Sequence, residues 1–383
     1  MSETTSGLEP QPAPQSLESL FNPMAGDWIL RILTRGGKVH PLRLSFVYVV
    51  LFLALSIVLS MVENNFWSVA GNKKLEFMED YGNWLNFLFI LPVGIVLIYN
   101  YYDRLRQGLI KLVSQNVVMF RGEEERVAFL TQCHKILNRN LLFWISILLS
   151  LGLNVWLVLN VKNSWNSQSL SLFALIPFRI YTFLNFAMVF YFLGKAILTV
   201  QMFRFMFRHH VVMQPLHPDR CGGLLPLGHI SGAINMFLGL LTLYITVLVV
   251  IDGVPLTHPL FLSVVLGFFG LAIYLFLIPA WLAHVEMKRQ KDEVLQKLNQ
   301  DFQVLYTRVT GQMVNANTMP KMEEQQELEN LSRFHHLVVA LPTWPFNIET
   351  LSRLFAVVIG PLLVAFLKFY LEPYLDTLKK FTW

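Results

Sequence analysis

Seven apolar stretches, each about as long as a bilayer is thick, decide most of what this chain can fold into. The first, LRLSFVYVVLFLALSIVLSMV at 42–62, carries one charge, Arg43, at its edge. A helix needs roughly 20 apolar residues to cross a hydrocarbon core about 30 Å thick. Inside lipid the backbone must satisfy its own polar groups, which favours helices over open strands. Comparable stretches follow at 82–102, 140–161, 171–199, 230–251, 259–283 and 349–371. The expected fold is therefore all-α, a polytopic membrane protein with about seven transmembrane helices. Composition agrees: 14% of residues are charged, against about 25% in soluble chains.

The segments between the spans set the orientation. Lys and Arg number 21 before span 1 and after spans 2, 4 and 6, and five on the opposite face. Positive residues resist translocation, so the N-terminus is expected inside and the C-terminus outside. The net charge of +5 then sits against the anionic cytoplasmic leaflet and calls for no nucleic acid. Cys133 and Cys221 fall on the same reducing side, which disfavours a disulfide between them.

Residues 1–19 are polar and proline-rich and read as a disordered tail, without the basic start and short apolar core of a leader. Residues 20–40 fit an interfacial helix, with Trp28, Ile29, Ile32 and Leu33 towards lipid. The membrane domain, 41–383, carries cytoplasmic helical insertions at 102–139, 200–229 and 284–347. In the first, Leu105, Leu109, Leu112 and Val113 keep helical spacing, Arg121-Gly122 ends the run, and EEERVAFLTQCHKILNR returns. In the third, span 6 passes Pro279, a predicted kink. Leu295, Leu298, Phe302, Leu305 and Val309 then form the seam of a helical stalk. EEQQELENLSRFHHLVVAL is a further amphipathic helix.

Charged residues in a bilayer are costly and tend to mark function. No span has a central Asp or Glu, which weighs against proton-coupled transport. Arg179 is the deepest charge; Lys195, Arg353 and Lys368 lie nearer span ends and can reach the interface. Arg179 and Asn185, with Arg353, Gly360 and Pro361 in span 7, are the candidates for a pore or an anion or lipid contact. Pro92 with Gly94 is a further point of helix breakage. Asn83, Asn86, Asn154 and Asn235 suit hydrogen bonds between helices.

The stretch HHVVMQPLHPDRCGGLLPLGH at 209–229 gathers four of the ten histidines. His217, Asp219, Cys221 and His229 have the donor chemistry of a zinc site, but their spacing matches no structural zinc pattern. The HPD tripeptide also occurs in J-domain co-chaperones, yet the soluble domain that carries it there has no room here. The better reading is a rigid turn. Pro215 and Pro218 stop a helix, Asp219 accepts backbone N–H groups, and Gly222 and Gly223 supply positive φ. His217 and Arg220 are left for a phosphate, carboxylate or headgroup.

PLHPDRCGGLLPLG, with LPTWPFNIETLSRLFAVVIGPLL at 341–363, resembles a group of bacterial inner-membrane proteins. They carry an HPDxxGGL loop between spans and a WPF segment before the last one. The resemblance makes His217, Pro218, Asp219, Gly222, Gly223, Leu224, Trp344, Pro345 and Phe346 signature positions and implies no activity. In topology the chain is also similar to the seven-span odorant- and gustatory-receptor-like channels, which are tetramers with a pore lined by the last span.

No nucleophile elbow, P-loop, HExxH or dinucleotide fingerprint occurs, so no enzyme activity and no cofactor is expected. His335-His336 read as surface histidines. Cys133-His134 diverge by about 100° on a helix and form no catalytic pair. Two functions follow: an ion channel, expected as a homo-oligomer in contact with membrane lipids, or a non-conducting scaffold or sensor that recruits a cytoplasmic partner. A lipid- or metal-handling enzyme is a distant third.

Overall fold

The structure, a computed structural model, describes residues 40–67, 76–160, 171–209, 211, 217, 219, 221–250, 259–316, 322–341, 343, 344, 360, 363, 364, 367 and 370. The expected N-terminal tail and interfacial helix lie outside the described residues, as does most of the expected seventh span. Among the described residues the regular structure is helical, with no strand. Six helices there are long and apolar enough to cross a membrane.

Helix α1 (Pro41–Val62) starts with proline at its first turn, where a missing N–H is harmless. It buries Ser45, Phe52, Ser56 and Ser60 and exposes Phe46, Val50, Leu51 and Val58. That is the inverse of a soluble helix: lipid accepts the apolar face, and small residues let helix backbones approach. The second span begins with α2 (Tyr81–Leu85), capped by Asp80, whose carboxylate accepts from the Asn83 amide at 3.0 Å. A π-helical turn, Asn86–Ile90, leads into α3 (Leu91–Ser114). Its cause is Pro92, which donates no N–H and crowds the carbonyl four residues back, and the extra residue in the turn relieves both. The expected breakage at Pro92 is thus a local π turn, braced by Ser45 Oγ, which donates to the Pro92 carbonyl at 3.0 Å.

Helix α3 ends earlier than the expected Arg121-Gly122 stop. Asn116 takes φ 55°. The Asn116 and Val117 amides donate back to the Val113 and Leu112 carbonyls, a Schellman ending. Asn tolerates that left-handed conformation better than most residues. Gly122 then serves as N-cap of α4 (Glu123–Leu137), with three glutamates in its first turn.

Helices α5 (Asn140–Asn160) and α6 (Leu172–His209) form an antiparallel hairpin. Its seam is polar at every fourth residue of α5. Ser146, Ser150 and Asn154 are buried, and Leu141, Trp144, Leu148, Leu151 and Val155 face out. Ser150 Oγ donates to the Phe183 carbonyl at 2.6 Å, and Asn154 Nδ2 to the Arg179 carbonyl and Thr182 Oγ1, both at 3.1 Å. Such bonds contribute about 0.6 kcal/mol each in membrane bundles.

Helix α7 (Leu225–Val250) starts five residues before the expected span and packs against α3 and α8. Helix α8 (Pro259–Ala316) is continuous through Pro279 for 58 residues. At 1.5 Å per residue it is about 87 Å long, far more than a bilayer needs. Helix α9 (Met322–Ala340) folds back along its extension. Leu298, Leu305 and Val309 of the expected seam are buried there, while Phe302 stays exposed. The largest core joins α3, α4, α6, α7 and the base of α8 on the side to which these helices extend, with Tyr101, Phe192, Phe203, Phe237 and Met287 buried in it.

Candidate functional site

The loop between α6 and α7 is organised by one carboxylate. Asp219 Oδ1 accepts from the backbone amides of Cys221 at 2.9 Å and Gly223 at 3.0 Å, and Oδ2 from Leu225 at 3.2 Å. Leu225 opens α7, so Asp219 also places negative charge at a helix N-terminus. His217 Nδ1 stands 2.8 Å from Oδ1 and 3.3 Å from the Asp219 amide. A single nitrogen does not donate to one and accept from the other. The shorter contact to a carboxylate prevails, so Nδ1–H donates to Asp219.

Burial opposes ionisation of Asp219. The donors, Gly223 and Cys221 foremost, then His217 and Leu225, outweigh it and hold the carboxyl below its ordinary value. Burial, reinforced by the charge on Asp219, pushes the Cys221 thiol up. A protonated thiol is a poor metal ligand and nucleophile. His229 is exposed on α7. Among the described residues no three His, Cys, Asp or Glu side chains converge as metal ligands, so the four zinc candidates do not come together.

Gly222 and Gly223 have φ of 66° and 89°, as expected for positions that turn the chain without a Cβ penalty. A Cβ on Gly223 would drive into Val117, a fully buried residue three positions beyond the end of α3. Nearby, Val118 pairs with Val211 in an isolated antiparallel bridge, and Gln290 of α8 donates to the Val211 carbonyl at 3.2 Å. The loop is a junction where the extensions of α3, α6 and α8 meet. Pro218 and Arg220 lie outside the described residues.

The segment before the expected seventh span is clasped to α8. Trp344 stacks on His284 with ring centroids 4.2 Å apart, and His284 Nδ1 donates to the Thr343 carbonyl at 2.8 Å. Lys291 Nζ donates to the Val339 and Leu341 carbonyls at 2.8 and 2.9 Å, capping the C-terminus of α9. Pro345, Phe346, Arg353 and Pro361 lie outside the described residues. Gly360 is helical and half-buried.

Arg179 and Asn185 come together on the opposite half of the bundle. Both line a cavity of about 930 Å³ bounded by the π turn, α5, α6, α7 and α8. Tyr48 of α1 donates to Asn185 Oδ1. Its ring stacks on Tyr181, which lies 3.8 Å from Phe52. Aromatic packing thus fixes α1, the π turn and α6 around one end of the cavity.

Lys195, expected to reach the interface, is instead 2% exposed. Its Nζ donates to the Leu137 carbonyl at 2.8 Å and Asn138 Oδ1 at 2.9 Å, and faces the Tyr191 ring at 5.2 Å. It closes the C-terminal end of α4, where a cation meets the negative helix pole. The cue is a lysine one turn after Tyr191 in a mostly apolar helix; its partner, 58 residues away in sequence, carries no signal.

No protein-family model matches the chain, no curated protein matches it, and no solved structure matches it.

Proposed function

We propose that this integral membrane protein is a homo-oligomeric channel whose α8–α9 hairpin forms its assembly and gating base. The observation that carries the reading is apolar surface far from the spans. On α8, Phe302, Val304 and Tyr306 are 37%, 61% and 54% exposed, about 28 Å or more beyond the membrane part of the helix. Phe302 and Tyr306 lie one turn apart with their rings stacked at 6.2 Å, and a contiguous exposed apolar patch outside lipid marks a contact between proteins. Tyr101, Phe192, Phe203 and Phe237 close the extension side of one bundle, so a conducting path runs between copies, around span 7. By the Lys and Arg distribution that base faces the cytoplasm, and the sequence resemblance points to a bacterial inner membrane.

Particle imaging of the full chain in nanodiscs tests this, together with ion flux from liposomes. A symmetric ring with an axial path and flux supports it; a monomer without flux overturns it. The same exposed hairpin supports the second reading, a scaffold that recruits a cytoplasmic protein. In that case Phe302→Glu with Tyr306→Glu releases a co-purifying soluble protein and leaves the oligomeric state unchanged.

A further inference from the structure

We infer that the cavity between the α5–α6 hairpin and the π turn, α7 and α8 is a binding site for a membrane amphiphile, with an acyl chain along α5 and an anionic headgroup at Arg179. The inference rests on the cavity alone and is independent of the channel reading. At about 930 Å³ the cavity is at the upper end of the range for small-molecule sites, which are mostly apolar with a few placed polar groups.

Its lining along α5 runs from Leu141 to Leu157, about 24 Å, most of the hydrocarbon thickness. Leu148 and Leu149 of α5 and Val264 of α8 at its edge are exposed, so the cavity opens sideways towards lipid. Space is kept by glycine: a Cβ on Gly152 or Gly267 would meet nothing within 4 Å.

The polar groups cluster at one end. Arg179, Asn83, Asn86, Thr182 and Asn185 line it there, and Arg139 lies at the other end beside the exposed start of α5. Among the described lining residues the charged ones are these two arginines, with no Asp or Glu. A half-buried guanidinium among neutral amides and a hydroxyl selects a phosphate or carboxylate, which it binds through a charge-assisted pair. The Arg179 carbonyl accepts from Asn154, which ties this turn of α6 to the α5 wall of the cavity.

The test uses the full chain in phosphatidylcholine nanodiscs doped with brominated-chain phosphatidylglycerol, brominated-chain phosphatidylcholine or brominated oleic acid. Trp156 lies in the cavity wall, so the quenching lost in Trp156→Phe reports cavity occupancy. The expected result is quenching by an anionic probe at about tenfold lower mole fraction than by phosphatidylcholine, about 1.4 kcal/mol of preference. Arg179→Gln removes that preference. Gly152→Leu and, on the opposite wall, Gly267→Leu remove Trp156-dependent quenching without lowering the melting temperature. Preference for phosphatidylglycerol identifies a phospholipid, and preference for oleic acid alone a free fatty acid. Equal quenching by anionic and zwitterionic probes means bulk lipid only and overturns the inference. So does a preference that survives Arg179→Gln, or quenching that survives both leucine variants.

Discussion

Gly223 lies against Val117 so closely that no side chain fits between them, at a φ of 89° that L-residues avoid. The contact joins the loop before α7 to the end of α3, so two separate chain reversals share one point. Gly223→Ala therefore loses stability twice: about 1–2 kcal/mol for the left-handed backbone, and more for displacing Val117. Thermal unfolding of the purified protein in detergent is expected to show a clear drop for Gly223→Ala and loss of the folded species for Gly223→Val. Val117→Ala added to Gly223→Ala is expected to recover part of the loss, since space returns and backbone strain does not. Full recovery would mean that the φ carries no strain.

Asp219 makes the same junction sensitive to acid. Its carboxyl titrates below the ordinary 3.8 because backbone amides bind the ionised form. A group depressed in the folded state contributes stability that is complete above the unfolded pKa and fades as pH falls through the folded one. Asp219→Ala strands three N–H donors at roughly 1–3 kcal/mol each where water does not reach them. The melting temperature of the wild type is expected to exceed that of Asp219→Ala by a constant margin between pH 5 and 8. The margin is expected to shrink below about pH 3.8. His217→Ala, which removes one donor to the carboxylate, is expected to leave assembly intact.

Much of this fold is legible in the sequence, for a definite reason. Span length and apolarity are local properties, so the bounds of α1 and α5 follow closely from the apolar runs. The roles of Asp219, Gly222 and Gly223 are also local, because turn chemistry acts within six residues. The early end of α3 is visible in principle: Asn116 follows an amphipathic run where a left-handed cap belongs. What stays hidden depends on which helices become neighbours. Apolar periodicity says little inside a membrane, where both faces of a helix are apolar. The burial of Lys195 exists only once α6 meets the end of α4, and the cavity at Arg179 only once α5 and α6 pair. The serine and asparagine spacing of Ser146, Ser150 and Asn154 is the one sequence trace of that pairing.

Lys195 is a buried cation that donates to two oxygens at the end of α4. Lys195→Met keeps the length of the stem and removes the charge, leaving the Leu137 carbonyl and Asn138 without their donor. The expected loss is about 1–3 kcal/mol. It is expected to be local, with faster hydrogen exchange over the last turn of α4 and little change in α1. Uniform exchange across α4 in Lys195→Met would show that the cap contributes nothing to helix stability.

Gly194 sets the approach of α6 to α5. A Cβ there would overlap Leu142 Cδ1 and crowd its Cγ and Cδ2, so the branched end of Leu142 stands in the way. Gly194→Ala is thus expected to force the two helices apart or turn Leu142 into a strained rotamer, at about 1–3 kcal/mol. Leu142→Ala alone leaves a void beside Gly194 and is also destabilising. Combined, the two changes exchange one fitted pair for another, so the double variant is expected to be more stable than the sum of the single losses predicts. A double-mutant cycle on melting free energies measures that coupling, expected at about 0.5–3 kcal/mol for residues in contact. A coupling near zero would mean that α5 and α6 do not meet at these residues. The cavity boundary they help form would then lie elsewhere.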